Sequence, residues 1–286
     1  MEPETDLNAL AARVRRTVIE RARAAGVGHI GSALSIVDLI AALYGRVLRI
    51  PAADDNERDR FILSKGHAAL ALYAALYERG LIERSLLESY CCDDTPLGTH
   101  PEHEVPGIDF STGSLGHGLS IGAGAALAAR LQGSPRRVFV LVSDGECDEG
   151  SLWEAVMFAA QHRLSNLIAI VDANGQQAFG YTRDVLDLSP LAGRFAAFGW
   201  DAHELDGHDP EAMALLIDGL AREPGPPHVL VARTVFGRGV SFMEGRIDWH
   251  YWPLDDERYA RALHDLALLD PALLDPTLLA RRPAPR

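Results

Sequence analysis

Two uninterrupted apolar runs, at residues 138–142 and 167–171, enclose a segment in which apolar residues recur at helical spacing. Leu152, Val156 and Ala159 fall on one face of the helix that this spacing predicts. A strand, a helix and a second strand of this length predict a right-handed parallel crossover. Because neighbouring parallel strands end at the same edge of a sheet, we expect a ligand site there.

The residues that follow the two apolar runs are polar. Asp144 follows the first run and Asn174 follows the second. Carboxylate and amide oxygens are hard donors that suit Mg²⁺ or Ca²⁺, and such ions also take phosphate oxygens or water. The pattern therefore predicts a divalent cation that carries a diphosphate at the edge of the sheet.

The rest of the pattern predicts an α/β protein with a parallel sheet of about six strands. Helices are predicted at Leu7–Ala25, 36–48 (with Ser35 and Asp38 as a variant capping box), 68–79, 113–131, 209–222 and 259–269. Further strands are predicted at Arg60–Leu63, 195–205 and His228–Arg233, and irregular segments at 93–109 and 235–253. Residues 1–269 are expected to form one domain, and residues 270–286 a loosely attached tail rich in proline and arginine.

Composition excludes several classes of function. The chain has 286 residues, of which 48% are hydrophobic. Its net charge of −13 argues against a nucleic-acid binder. No run is long enough for a membrane span and the start lacks a signal peptide, so a cytoplasmic location is expected. Lys65 is the only lysine, and its surroundings do not fit a phosphate-binding P-loop. Cys91, Cys92 and Cys147 show no metal spacing and are interpreted as incidental thiols.

Four of the eleven histidines lie in glycine-containing or irregular segments rather than on apolar faces. They are His29, His67, His100 and His250. A hydrogen-bonded loop histidine is the ordinary interpretation of any one of them. Together they indicate a polar cavity, although sequence spacing alone does not bring them together.

The segment around Asp144 and Asn174 resembles the thiamine diphosphate motif of transketolases, an Asp-Gly followed some thirty residues later by Asn. The sequence between them continues the likeness with Glu-Gly-Ser-Leu-Trp-Glu-Ala at 149–155. Other segments resemble family signatures in family order: GHIG at 28–31, LSKGH at 63–67, HPE at 100–102, GSLGHG at 113–118, and GVSFME at 239–244 followed by WH at 249–250. The resemblance covers about residues 7–265 and implies the thiamine diphosphate-binding fold.

The resemblance also implies roles for individual residues. Residues implied in cofactor binding are His67, Gly113, Ser114, Leu115, Asp144, Gly145, Glu146, Asn174 and His250. The metal ligands would be the side chains of Asp144 and Asn174 and the backbone carbonyl of Gln176. His29, His100 and His250 would be catalytic. His29 and His100 would face the sugar hydroxyls, and we expect pKa values near neutrality to suit the histidines there to proton transfer.

The sequence departs from the family pattern in three places. Ser143 stands where the family usually has Gly, Arg233 stands where it often has Lys, and Tyr251-Trp252-Pro253 replaces smaller residues after His250. The Ser143 change bears on how closely backbone approaches the diphosphate. The bulky residues after His250 bear on whether this chain takes the same substrate as the housekeeping enzymes.

The extent of the likeness matches the N-terminal subunit of a split transketolase. A complementary C-terminal subunit would hold the aminopyrimidine ring of the cofactor, in an assembly of two copies of each chain. Residues 113–131 and 152–162 are the helices expected to face it. The complex would move a two-carbon ketol (glycolaldehyde) unit from a ketose or ketose phosphate to an acceptor aldehyde, with thiamine diphosphate and Mg²⁺.

Three other interpretations stay open. The chain could belong to another thiamine diphosphate enzyme, which decarboxylates 2-oxo acids or transfers glycolyl groups in secondary metabolism. Lys65 could form a Schiff base with pyridoxal phosphate, although a solvated position for this lysine is the simpler expectation. The chain could also be a non-catalytic scaffold subunit.

Overall fold

The computed structural model describes residues 5–52, 54–221 and 224–269. A parallel sheet of five strands forms its centre. The strands are β1 (Arg60–Leu63), β2 (Val138–Ser143), β3 (Leu167–Ala173), β6 (Asp201–Asp206) and β7 (His228–Arg233). Their order in the sheet is β1-β2-β3-β7-β6. A short antiparallel hairpin of β4 (Gln176–Gln177) and β5 (Gly180–Tyr181) projects beyond β3.

Helices connect the strands. They are α1 (Leu7–Ala25), α2 (Ile30–Ser35), α3 (Val37–Ala42), α4 (Ala69–Glu78), α5 (Arg84–Glu88), α6 (Gly118–Leu131), α7 (Gly150–Gln161), α8 (Thr182–Val185), α9 (Leu191–Ala197), α10 (Pro210–Gly219) and α11 (Asp256–Leu269). Single 3₁₀ turns occupy Gly66–Ala68, Gly145–Asp148 and Ile247–His250, and a π-helical turn occupies Leu43–Val47. None of the helices in these ranges has the length and apolar character needed to cross a bilayer.

The sheet is buried on both faces, which explains why its central strands read as continuous apolar runs. Successive side chains of a strand point to opposite faces, so Phe139 and Leu141 join one core and Val140 and Val142 the other. Helices α1, α3, α4 and α10 cover the first face, and α6, α7 and α9 cover the second. This doubly covered parallel sheet confirms the predicted fold class.

Several predicted elements are confirmed at or near their predicted bounds. The helix at Leu7–Ala25 and the strands at Arg60–Leu63 and His228–Arg233 agree residue for residue. Asp6 caps α1 by accepting a hydrogen bond from the Ala9 amide, and Gly26 ends it in the left-handed conformation. Residues 93–109 contain no helix or strand, as expected.

The predicted helix at 36–48 is wrong in its bounds. Ile36 has a non-helical conformation that separates α2 from α3, and a π-helical turn follows. Ser35 does not cap a helix: its hydroxyl donates to the Ser32 carbonyl and to Asp172 instead. Asp38 is buried against Arg15 and His208, so both residues of the supposed capping box serve tertiary contacts.

Two other elements begin later than predicted. The helix predicted at 113–131 begins at Gly118, because Gly113 and Gly116 have φ values of 150° and 82°, outside the helical region. The strand predicted at 195–205 begins at Asp201, because the preceding residues complete helix α9 and turn at Gly199. The predicted tail at 270–286 lies outside the described residues, and the division into domain and tail stays a prediction.

Candidate functional site

The ends of β2 and β3 form one edge of the sheet, as the sequence predicts. Ser143 pairs with Asp172 in the parallel register, and the Asp144 amide donates to the Asp172 carbonyl at 3.2 Å. The Asp144 carboxylate accepts hydrogen bonds from the amides of Gly145 at 2.9 Å and Gly175 at 2.6 Å. The loop after β2 is therefore fastened to the loop after β3 through Asp144 itself.

Asn174 is held in one orientation by the backbone and by a buried acid. Its amide nitrogen donates to Asp172 Oδ2 at 2.9 Å, and its amide oxygen accepts from the Gln176 amide at 2.9 Å. Since the nitrogen is directed towards Asp172, the oxygen is turned towards the residues of the β4 hairpin. The Asn174 oxygen is thus held in a defined position in the loop that leads to the β4 hairpin.

Asp172 is the centre of this arrangement, and the sequence analysis assigned it no role. Its carboxylate is fully buried and lies 2.5 Å from Lys65 Nζ and 2.7 Å from the Ser35 hydroxyl, and Thr234 also donates to it. Burial opposes the charged form of Asp172. The Lys65 ammonium and these hydrogen bonds outweigh burial, so the pKa of Asp172 lies below its ordinary value.

The expectation that Lys65 is solvated is wrong, because its side chain has no exposed area. An ammonium held by a carboxylate at 2.5 Å is not the free amine that a Schiff base requires, so the pyridoxal interpretation loses its only residue. The sequence does mark Lys65 as unusual, because it is a single lysine between a buried strand and Gly66-His67. The sequence spacing does not show that Asp172 is its partner.

Asp144 is an acid whose charge is disfavoured in the protein alone. Burial, reinforced by the nearby Asp172 carboxylate, raises the pKa of Asp144 to about 7. The two amide hydrogen bonds and Lys65 oppose this rise but do not cancel it. A divalent cation at the Asp144 carboxylate would reverse the balance by favouring the ionised form.

Glu146 belongs to the framework beneath the loops. It has no exposed area, and its carboxylate accepts from the Gly116 amide at 2.8 Å, from the Ser143 amide at 3.2 Å and from the Ser64 hydroxyl. Burial raises the pKa of Glu146, against those hydrogen bonds. Its carboxylate therefore fastens the Gly116 loop to the end of β2, and its place is behind the cavity rather than in its lining.

Ser143 replaces the usual glycine without strain. It is not among the described residues with positive φ. Its hydroxyl accepts from the Glu146 amide at 3.1 Å, and this contact caps the 3₁₀ turn that follows Asp144. The substitution therefore adds a hydrogen bond to the turn and leaves the backbone in an ordinary conformation.

Three of the four histidines singled out by the sequence meet in one cluster. The ring centroids of His29, His67 and His250 are 5.1 to 5.5 Å apart in each pairing. His29 has a left-handed backbone with φ of 61°, and its amide donates to the His250 carbonyl at 3.1 Å. That contact joins the start of α2 to the 3₁₀ turn at Ile247–His250, segments more than two hundred residues apart.

The pKa values of the three clustered rings lie below the ordinary value of a histidine. Burial is the main cause that lowers the pKa of His29, His67 and His250, and neighbouring histidines and Lys65 add to it. The pKa of His250 falls to about 4. All three rings are therefore neutral at pH 7, and each can donate a hydrogen bond from one nitrogen and accept one at the other.

His100 lies beside the cluster and against the glycine loop. A β-carbon on Gly113 would come within 2.9 Å of the His100 ring, so that ring packs directly on the Gly113 backbone. The His100 carbonyl accepts from the Tyr73 hydroxyl at 2.8 Å, which anchors the loop to α4. Ser114 lines a neighbouring recess with His100 and Gly113, and Leu115 lines the main cavity.

One cavity of about 470 Å³ brings most of the predicted residues together. Predicted site residues that line it are His29, His67, His100, Gly113, Leu115, Gly145, Asn174, Gln176 and His250. His29 Nδ1, His250 Nδ1 and Gln176 Oε1 are buried and have no hydrogen-bond partner within the described residues. Buried polar atoms without partners are uncommon, and here they fit a polar ligand in the cavity.

Exposed apolar side chains lie on the segments that line this cavity or directly follow them. Phe179 is 87% exposed, and Val185, Tyr251 and Trp252 are each about half exposed. The Tyr251 hydroxyl donates to the Ala178 carbonyl at 3.0 Å, so the segment after His250 touches the hairpin loop after Asn174. We call Phe179, Val185, Tyr251 and Trp252 the apolar rim.

Arg233 is not among the residues that line the cavity. It ends β7, and its side chain is 72% exposed and ion-paired with Glu204. The departure from the family pattern at this position therefore affects the surface near β6 rather than the cavity.

Comparisons with known proteins agree with this geometry. Residues 7–272 match the family model described as transketolase, thiamine diphosphate binding domain. The chain is 39% identical over 268 residues to the 6-deoxy-6-sulfo-D-fructose transketolase subunit SqwG of Clostridium sp., a match that covers 93% of this chain and 98% of the relative. It is 41% identical over 255 residues to a subunit of the apulose-4-phosphate transketolase of Actinobacillus succinogenes, covering 88% and 92%.

Solved structures place the fold in the same family. The transketolase from Campylobacter jejuni matches with a TM-score of 0.84 and 27% identity, over 91% of this chain and 42% of that one. This chain thus spans about two fifths of that enzyme, whereas it spans nearly all of the two relatives named as subunits. The chain belongs to the transketolase family, as a thiamine diphosphate-binding N-terminal subunit of the split kind.

Proposed function

We propose that this chain forms a two-carbon ketol transferase together with a complementary C-terminal subunit. The complex moves a glycolaldehyde unit from a ketose or ketose phosphate to an acceptor aldehyde, and it uses thiamine diphosphate with Mg²⁺, or with Ca²⁺ in its place. The observation that carries this proposal is one cavity lined both by the histidine cluster and by Asn174 and Gln176, which lie in the loop that Asp144 fastens to the end of β2. Either feature alone would allow other interpretations.

The Asp144 and Asn174 oxygens and the Gln176 carbonyl would hold the cation, which would in turn hold the diphosphate. Hard oxygen ligands with one negative charge leave room for phosphate oxygens in the coordination shell. Asn174 is already oriented by Asp172, and Asp144 by two backbone amides. The chain therefore supplies ligands whose positions are fixed before the cofactor arrives, which reduces the entropy lost on binding.

When bound, thiamine diphosphate would supply the nucleophilic carbon and the electron sink that breaking a ketose carbon–carbon bond requires. His29 and His100 would contact the sugar hydroxyls and accept or return their protons. His250 and His67 would contact both the cofactor and the reacting end of the sugar. The neutral rings of His29, His67 and His250 can each donate a hydrogen bond from one nitrogen and accept one at the other, which suits contacts with sugar hydroxyls.

The partner subunit would complete the site. Our support is the apolar rim, which leaves large apolar side chains in water around the mouth of the cavity. Two relatives that match over nearly their whole lengths are named as subunits. We infer an assembly of two copies of each chain, in which the partner covers the rim and binds the aminopyrimidine half of the cofactor.

We infer the class of substrate from the apolar rim, because the cation site would bind the cofactor and not the sugar. Tyr251 and Trp252 follow His250 directly; the Tyr251 ring packs against the His250 ring, and the Trp252 ring packs against Trp249. The two relatives are named for a sulfonated deoxyketose and for apulose 4-phosphate. We propose an uncommon ketose or ketose phosphate as the donor for this chain as well, with a small aldehyde as acceptor.

Reconstitution tests the proposal. The chain is assayed with thiamine diphosphate, Mg²⁺, a panel of ketoses and glycolaldehyde or glyceraldehyde phosphate as acceptor, with and without the complementary subunit. Mass spectrometry should detect products extended by two carbons only when both subunits are present. Steady ketol transfer by the chain alone, or no transfer by the complex with any donor, would contradict the proposal.

A further inference from the structure

A second cluster of potential ligands lies near the amino ends of two strands, whereas Asp144 and Asn174 follow the carboxyl ends of theirs. It consists of Asp201 and His203 on the edge strand β6 and His228 at the start of β7. Asp201 and His228 are direct partners in the parallel register, so their side chains leave neighbouring strands side by side. None of the three residues lines the cavity described above.

The three side chains converge on one carboxylate oxygen. Asp201 Oδ2 lies 3.0 Å from His228 Nδ1 and 3.1 Å from His203 Nε2. One ligand atom of each residue can be chosen so that all three lie within 4.8 Å of one another. Ligands that bind a common ion at about 2.0–2.2 Å must lie within roughly this distance of each other.

Hydrogen bonding at His228 identifies the nitrogen that faces Asp201. His228 Nε2 lies 3.2 Å from the Ala221 carbonyl, which can only accept, so Nε2 carries a hydrogen. Nδ1 is the nitrogen directed at the Asp201 carboxylate, at 3.0 Å. A metal ion bound at Nδ1 would be shared with that carboxylate.

His203 adds an independent observation. Its Nε2 atom is buried and has no aligned hydrogen-bond partner within the described residues, although Asp201 Oδ2 is 3.1 Å away. His203 Nε2 and Asp201 Oδ2 are close enough for both to bind one ion. The His228 contact with a backbone carbonyl is also the usual outer contact of a metal-binding histidine.

We propose that Asp201, His203 and His228 form a binding site for a borderline transition metal of the zinc class. Two imidazole nitrogens and one carboxylate oxygen match the donors that Zn²⁺ takes in proteins, and a water would complete a tetrahedral shell. The Asp201 side chain is 42% exposed, which leaves a path for the ion. The ion would fasten the edge strand β6 to β7 and would take no part in ketol transfer.

Zinc binding by the purified full chain tests the proposal. After treatment with a chelator, the chain is dialysed against Zn²⁺, and bound metal is measured by mass spectrometry. We expect one tightly bound equivalent, and at least about tenfold weaker binding in His203→Gln and in Asp201→Asn. His264→Gln, at an exposed histidine of α11, serves as the matched control. His29→Gln tests competition from the cavity histidines, and both controls should retain the wild-type equivalent.

Cobalt gives a measurement that does not depend on any variant folding well. The wild-type chain titrated with Co²⁺ should develop the intense visible bands of a four-coordinate site, and Zn²⁺ should displace them. If wild-type chain and His203→Gln bind equal amounts of Zn²⁺, or if Co²⁺ gives only weak octahedral bands, the proposal is overturned. The cluster would then be an ion pair between Asp201 and a protonated His228.

Discussion

The Lys65 ammonium lies 2.5 Å from Asp172, and neither side chain has any exposed area. This pair stands between the histidine cluster and the proposed cation ligands, because Lys65 lines the cavity and Asp172 orients Asn174. A buried ion pair with additional hydrogen bonds fixes a geometry more than it adds stability. The Lys65–Asp172 pair therefore holds the Asn174 side chain in a defined position.

Breaking this pair should destabilise the fold strongly. Lys65→Met leaves the Asp172 carboxylate buried without a cation, and such changes cost about 3–5 kcal/mol. The free energy of unfolding in urea measures the loss. Arg84→Met is the control, because Arg84 and Glu88 form an exposed ion pair whose removal should cost less than about 1 kcal/mol. Equal losses in the two variants would contradict the role assigned to Lys65.

Removal of the Asp144 carboxylate should abolish binding of the metal-linked cofactor. Asp144→Ala leaves only neutral ligands, which cannot offset the charge of a diphosphate and a divalent cation together. Calorimetric titration of the assembled complex with thiamine diphosphate and Mg²⁺ measures the affinity. Asp148→Ala is the matched control, since Asp148 lines the same cavity and bonds to Gln177. Wild-type affinity in Asp144→Ala would show that no cation is bound at this edge of the sheet.

The four histidines should separate into two groups. His29→Ala and His100→Ala should lower turnover more than cofactor affinity, because these residues are assigned to the sugar hydroxyls. His67→Ala and His250→Ala should weaken the cofactor as well. Loss of one acid–base group costs on the order of 10² to 10⁴ in rate. Fluorescence titration with cofactor, paired with a coupled sugar assay, separates the groups, and a single phenotype for all four variants would contradict the division.

Acid should destabilise the protein through the histidine cluster. Burial lowers the pKa of His250 to about 4 in the fold, below the ordinary value of about 6.5 for an unfolded chain. Between these values the unfolded chain binds the proton and the folded chain does not. The stabilising contribution of His250 is therefore complete above pH 6.5 and is lost as the pH falls to 4.

Carboxylates also titrate in this pH range. The difference in unfolding free energy between wild type and His250→Gln, followed over the range, separates the contribution of His250 from theirs. Because His250 is partly exposed, we expect roughly 1–2 kcal/mol less loss of unfolding free energy in the variant between pH 6.5 and 4. Thermal or urea unfolding at several pH values gives the comparison. Parallel pH curves for the two proteins would show that the neutral ring does not govern acid stability.

The fold class and the Asp144/Asn174 edge were predictable because both follow from local patterns. A run of apolar residues that ends in a polar loop describes a buried strand and its carboxyl end, whatever surrounds it. The Asp172–Lys65 pair was not predictable, because its partners are 107 residues apart and a lone lysine usually lies in water. The histidine pKa values also depend on burial, which only the packed cavity provides. The helix errors at 36–48 and 113–131 arose where tertiary contacts and positive φ values overrode local propensity.

The surface that binds the partner subunit should include the apolar rim. The sequence predicted the segments 113–131 and 152–162 for this role, and α7 does expose Met157 and Phe158 on one side. The rim lies at the cavity itself, and Phe179 is its most exposed member at 87%. Large apolar side chains that surround a ligand cavity cost free energy in water, which a partner that covers them recovers.

Phe179→Ser should therefore weaken assembly, by about 1–3 kcal/mol if the side chain is buried in the complex. The lone chain should fold as stably as wild type, because this side chain packs little against its own subunit. Leu215→Ser on α10 is the matched control, an exposed apolar residue at 60% on the helix layer that covers one face of the sheet. Analytical ultracentrifugation with the partner measures the dissociation constant of each complex, and activity at low concentration reports the same loss independently. If Phe179→Ser and Leu215→Ser bind the partner equally well, the partner does not cover the rim, and the mouth of the cavity stays open in the assembled enzyme.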